Sequence, residues 1–70
     1  MQSLSEIRAG EACTIKWMLG NVQIMEFLRS RDMKEGSLVR VLQQRSNGTI
    51  IRMDDRRFAL GREVAERIKV

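Results

Sequence analysis

Seventy residues make about half of one typical domain, which excludes a second domain and predicts that only about 60% of the unfolded surface is buried on folding. A composition of 43% hydrophobic and 31% charged residues belongs to a folded chain, not a disordered one. Thirteen cations against nine anions give a formal charge of +4, and ten of the cations are arginine, the side chain best matched to phosphate or carboxylate, so nucleic acid has to be considered as a partner.

No apolar run approaches the ~18 residues of a membrane helix, and Met1–Glu6 lacks the basic-then-apolar pattern of a secretory signal. The single cysteine, Cys13, cannot form an internal disulfide. Both features lead us to expect a cytoplasmic protein that does not insert into the membrane.

With no proline and no repeat, glycines punctuate the chain at Gly10, Gly20, Gly36, Gly48 and Gly61. Ala12–Met18 is rich in β-branched and aromatic residues, and its alternation puts Cys13, Ile15 and Trp17 on one face, which predicts a first strand. Asn21–Arg31 carries Ile24, Phe27 and Leu28 at helical spacing behind Asn21 as N-cap, which predicts a short amphipathic helix. Lys34-Glu35-Gly36 then turns into a strand over Leu38–Gln44, with Val39 and Val41 on one face and Arg40 on the other.

Asn47-Gly48 is a strong hairpin signal, and Thr49–Met53 is the returning strand. A second reversal at Asp54-Asp55-Arg56 leads into Arg57–Leu60, a helical turn around Arg62–Glu66, and a last strand over Arg67–Val70. The fold class expected is mainly β: a small five-stranded curled barrel. One short α-helix lies between the first and second strands, and a helical turn precedes the last.

Catalytic chemistry has little to build on. Without histidine the commonest general base and zinc ligand is missing, and one cysteine cannot make a tetrahedral site. The serines have no histidine to activate them, and no glycine-rich phosphate loop is present. Asp54-Asp55 could in principle bind a hard cation, but it reads more simply as turn chemistry. These residues point to a protein that binds and does not catalyse, with no cofactor and no metal site of its own.

Two features could carry binding. Arginines at Arg40, Arg45, Arg52, Arg56, Arg57, Arg62 and Arg67 fall on expected strands and turns, so that some of them could line one side of the sheet or simply be solvated. Interspersed Asp54, Asp55, Glu63 and Glu66, and only three aromatic residues, argue against nucleic acid. Trp17-Met18-Leu19-Gly20 runs into a helix that also bears Val22 and Met25, more apolar side chains than one helix face can bury. An interface would want this group, and a core would too.

Leu4, Gly10-Glu11, a strand, a helix ending in Phe27-Leu28, Gly36 and Leu38-Val39-Arg40-Val41 follow one another in an order that resembles the FeoA family of bacterial ferrous-iron transport accessory proteins. Gly48 and its strand, Arg57–Gly61, Glu63-Val64-Ala65 and Ile68-Lys69-Val70 extend the resemblance over essentially the whole chain. Asp32 stands where that family usually has glycine, and aspartate tolerates the left-handed conformation better than most residues.

The resemblance implies an SH3-like barrel in the cytoplasm that docks on FeoB, the membrane ferrous-iron transporter with a cytoplasmic G-protein domain. It implies a docking surface around the helix, with Val22, Met25 and Leu28 flanked by Trp17, Met18 and Leu19. Weak self-association through the same corner is left open. The alternatives are an SH3-like regulatory module of the diphtheria-toxin repressor type, which normally comes fused to a helix-turn-helix, and a basic SH3-like RNA-binding protein.

Overall fold

A 3₁₀ turn at Leu4–Glu6 opens the computed structural model, which describes all 70 residues. There follow β1 (Ala12–Thr14), β2 (Trp17–Met18), α1 (Val22–Ser30), β3 (Leu38–Arg45), β4 (Gly48–Met53), β5 (Arg56–Gly61), α2 (Arg62–Glu66) and β6 (Ile68–Lys69). Antiparallel pairing gives a four-stranded sheet in the order β1-β3-β4-β5 and a separate β2-β6 ribbon. The fold is mainly β, but two sequence-based expectations need correction. Six strands form two sheets in place of one closed five-stranded barrel, and α1 follows the second strand, not the first.

The reason lies in the segment read as one strand, Ala12–Met18. β1 pairs with β3 as far as Thr14↔Leu38. The Ile15 N–H then donates to the Ser37 carbonyl (2.9 Å), and the Lys16 N–H donates to the Lys69 carbonyl (2.8 Å). The chain thus leaves one sheet for the other within two residues. That transfer inserts one residue into the inward-outward alternation: Ile15 and Met18 are both buried, while Lys16 and Trp17 between them face solvent. Trp17, expected on the face of Ile15, points outward at 50% exposure.

The β3–β4 pairing carries a bulge, because Val41 faces Ile51 while Gln43 faces Ile50, leaving Leu42 without a partner. Such a bulge bends its strand and increases the twist, curling the sheet over its core. The hairpin loop is Ser46–Asn47, with Arg45 opposite Gly48, one residue earlier than Asn47-Gly48 predicts. Gly48 is needed for another reason. A Cβ there would stand 2.6 Å from the Leu60 carbonyl oxygen, so only glycine lets β4 and β5 approach at this point. The β4–β5 reversal sits at Asp54-Asp55 as predicted, with Asp54 left-handed at φ 58°.

α1 begins as predicted, the Asn21 carboxamide oxygen accepting from the Ile24 N–H at 2.8 Å. It ends on Asp32 at φ 63°, where the Met33 N–H donates to the Leu28 carbonyl and the Asp32 N–H to that of Arg29, both at 2.9 Å. This is the paired-hydrogen-bond ending usually built on glycine, and Leu28 and Met33 supply its apolar contact by entering the core together. The inward stripe of α1 is Ile24, Met25 and Leu28; Phe27, expected among them, is 52% exposed.

Leu4, Ile15, Met33, Ile51 and Ile68 are among the largest fully buried side chains, drawn from every part of the chain. Thr49, also buried, donates its hydroxyl to the Gln44 carboxamide oxygen, and Gln44 donates in turn to the carbonyls of Leu4 (3.0 Å) and Ile7 (2.7 Å). That relay ties the N-terminal turn to the sheet and leaves no buried side-chain polar atom unpaired.

Candidate protein-binding surface

The corner where β2 leads into α1 concentrates exposed apolar surface. Extended backbone alternates its side chains, so Trp17 (50% exposed) and Leu19 (42%) face outward on either side of buried Met18. The Leu19 N–H donates to the Arg67 carbonyl at 2.8 Å, which keeps this stretch against the chain beside β6. Gly20 turns the chain, and Val22, 70% exposed, opens the helix. Met25 is half-buried and packs against the core from the next turn.

Of the six residues singled out in the sequence, the structure therefore presents Trp17, Leu19 and Val22 at the surface and Met25 at its margin. It seats Met18 and Leu28 in the core beneath, at 3% and 2% exposure. Buried Met18 and Leu28 hold the presenting elements in place.

Phe27 belongs to a different surface. On a helix of 3.6 residues per turn it lies on the opposite flank of the buried stripe from Val22. There it borders a groove of about 520 Å³ between α1 and β5 that is also lined by Arg31, Arg56 and Phe58. The Arg31 guanidinium lies 4.9 Å from the centre of the Phe27 ring and that of Arg56 5.6 Å from Phe58. Arg56 also donates to the Arg31 carbonyl at 3.0 Å, satisfying one of the open carbonyls at the helix end.

A polar concavity of about 570 Å³ is lined by Ser3, Glu6, Arg45, Arg62, Glu66 and Lys69, among others. Within it the Ser3 hydroxyl donates to the Glu66 carbonyl (2.9 Å) and accepts from Lys69 Nζ (2.7 Å), a clasp between the N-terminal turn and α2. Burial, and secondly the Glu11 carboxylate, push the Cys13 thiol pKa up, the opposite of what an activated nucleophile needs. No three histidine, cysteine, aspartate or glutamate side chains come together to hold a metal ion, and no helix is long and apolar enough to cross a membrane.

Comparison with known proteins agrees with this architecture. A crystal structure of an iron uptake regulatory protein (FeoA) superposes with a TM-score of 0.84 at 30% identity, covering 94% of this chain and 89% of that one. The solution structure of iron(II) transport protein A from Clostridium thermocellum gives 0.86 at 18% identity, and a manganese-dependent transcriptional repressor gives 0.87 at 23%. This chain covers 97% and 96% of itself in those two matches but only 43% and 39% of their length. At such identities they show the fold alone, an SH3-like one. No curated protein matches the sequence. The FeoA domain family is matched over residues 2–70, and the chain belongs to that family.

Proposed function

We propose that this protein is a non-enzymatic accessory factor of bacterial ferrous iron uptake that works in the cytoplasm by docking on the cytoplasmic region of a FeoB-like transporter. Membership of the FeoA domain family supports the iron-uptake setting, as does the likeness to an iron uptake regulatory protein at 30% identity. The observation that carries docking is the apolar corner of Trp17, Leu19 and Val22, held outward by a register that buries Met18 between them. Large apolar side chains on a rigid support are what interface anchors require.

Val22→Asp and Leu19→Asp place a charge on the corner without touching the core, and each weakens binding to the purified cytoplasmic region of the transporter at least tenfold. Wild-type affinity in both folded variants would refute the choice of surface; no binding by the wild-type chain would refute the reading. A regulatory module acting on a separate DNA-binding chain is the second reading, favoured by the match to less than half of a manganese-dependent repressor. It predicts capture of such a chain in place of the transporter.

A further inference from the structure

The antiparallel register places three arginines in a single row. Arg40 on β3 stands directly opposite Arg52 on β4, and Arg52 directly opposite Arg57 on β5. All three are exposed on the outward face of the sheet. The ion pairs of the chain, Arg29–Glu35, Arg56–Asp32 and Arg62–Glu66, all lie elsewhere, so no carboxylate comes within 4.0 Å of any member of the row. Like charges directly opposite each other across a sheet are destabilising, and folding alone gives no reason for two such pairs in succession.

Two of the three guanidiniums are held in place by backbone oxygens. Arg40 donates one N–H to the Gly10 carbonyl at 2.7 Å, and Arg52 donates its Nε–H to the Asp54 carbonyl at 2.9 Å. Each keeps its other donors free, since a guanidinium carries five. Apolar side chains flank the row on the same face, two residues along each strand: Leu38, 65% exposed, beside Arg40, and half-buried Ile50 beside Arg52.

We propose that this row is a docking site for the acidic face of a partner protein's helix. Adjacent strands are about 4.8 Å apart. One helical turn rises about 5.4 Å, so a helix lying across the strands with one carboxylate per turn sets a carboxylate against each arginine in succession. Leu38 and Ile50 then meet the apolar residues beside that stripe. The flanking residues of the row offer no aromatic ring for a base to stack on, and the nearby rings of Phe27 and Phe58 each carry a guanidinium, of Arg31 and Arg56, over one face. These features favour a protein over a nucleic acid.

The site stands apart from the Trp17 corner and is tested without the transporter. The probe is a fluorescein-labelled alanine-based helical peptide with one glutamate per turn, titrated into the protein at low salt. A lysine-for-glutamate peptide and a single-stranded RNA oligonucleotide serve as comparisons. The glutamate peptide binds, its affinity falls as salt rises, and the lysine peptide does not bind.

Arg52→Glu, which sets a carboxylate between Arg40 and Arg57, weakens the peptide at least tenfold while the melting temperature rises. That combination separates a binding role from a structural one. Absence of glutamate-peptide binding at millimolar protein, unchanged affinity in Arg52→Glu, or tighter binding of the oligonucleotide would each overturn the proposal.

Discussion

Gly48→Ala and Gly61→Ala, on residues that face each other across β4 and β5, should have opposite outcomes, because the structure gives each glycine a different reason to be there. A methyl at position 48 would meet the Leu60 backbone carbonyl at 2.6 Å, against about 3.3 Å for the closest ordinary carbon-to-oxygen approach in a sheet. The obstacle is backbone, so relief requires edge strand β5 to move away from β4. Forced overpacking of this kind costs about 1–3 kcal/mol. In a domain of this size each kcal/mol moves the melting temperature by about 4–8 °C, so Gly48→Ala should melt roughly 5 to 20 °C lower.

At position 61 a methyl meets nothing within 4 Å, and the backbone, at φ −62° and ψ 159°, is one that alanine adopts freely. Reduced freedom of the unfolded chain favours that substitution by about 0.4–1 kcal/mol. Alanine as N-cap of α2 costs a comparable amount in return, since glycine ranks well above alanine at that position. Gly61→Ala should therefore melt within a few degrees of the wild type, about 0.5 kcal/mol either way. Thermal unfolding followed by circular dichroism separates the two. Equal losses at both positions would refute the close-approach argument and point to a general need for glycine in these strands.

Leu28→Ala removes a core side chain with 2% exposure, so it should destabilise by about 2–5 kcal/mol in urea titrations. Any loss of partner binding should then track the unfolded fraction, and a well-folded Leu28→Ala that fails to bind would reassign Leu28 to the contact surface. The raised Cys13 pKa, due first to burial and then to Glu11, makes the folded thiol hold its proton more tightly than the unfolded one. Folding stability should consequently fall as pH rises past the ordinary thiol range, and Cys13→Ala should remove that part of the slope. Iodoacetamide should also alkylate Cys13 more slowly in the folded chain than in urea, with equal rates contradicting its protected position.

Features set by a few neighbouring residues were readable in the sequence. Asn21 caps the helix, Asp54-Asp55 makes the second reversal, and Val39, Arg40 and Val41 alternate as expected. Asp32 likewise takes the left-handed conformation expected of a glycine substitute, because it lies in a local motif. What depended on partners distant in sequence was not readable. The outward turn of Trp17 results from hydrogen bonds to Ser37 and Lys69, some 20 and 50 residues away along the chain, and no alternation rule contains them.

Leu42 is a bulge only because of how β4 lies against β3. Phe27 satisfies the helical spacing of a core residue but faces outward on the side of α1 where Arg31 lies over its ring. The basic strand residues were visible as a group, whereas the pairing that sorts Arg40, Arg52 and Arg57 into one row requires the register.

The central claim, that the protein acts by docking its apolar corner on a transporter, is tested most directly by nuclear magnetic resonance. The ¹⁵N-labelled chain is titrated with the unlabelled cytoplasmic region of a FeoB-like transporter, and the shifts of its backbone amides and the Trp17 indole N–H are followed. The account predicts saturable shifts confined to Trp17, Leu19, Val22, Met25 and their neighbours, and reduced in Val22→Asp. An unperturbed spectrum, or shifts that leave this corner untouched, would contradict it.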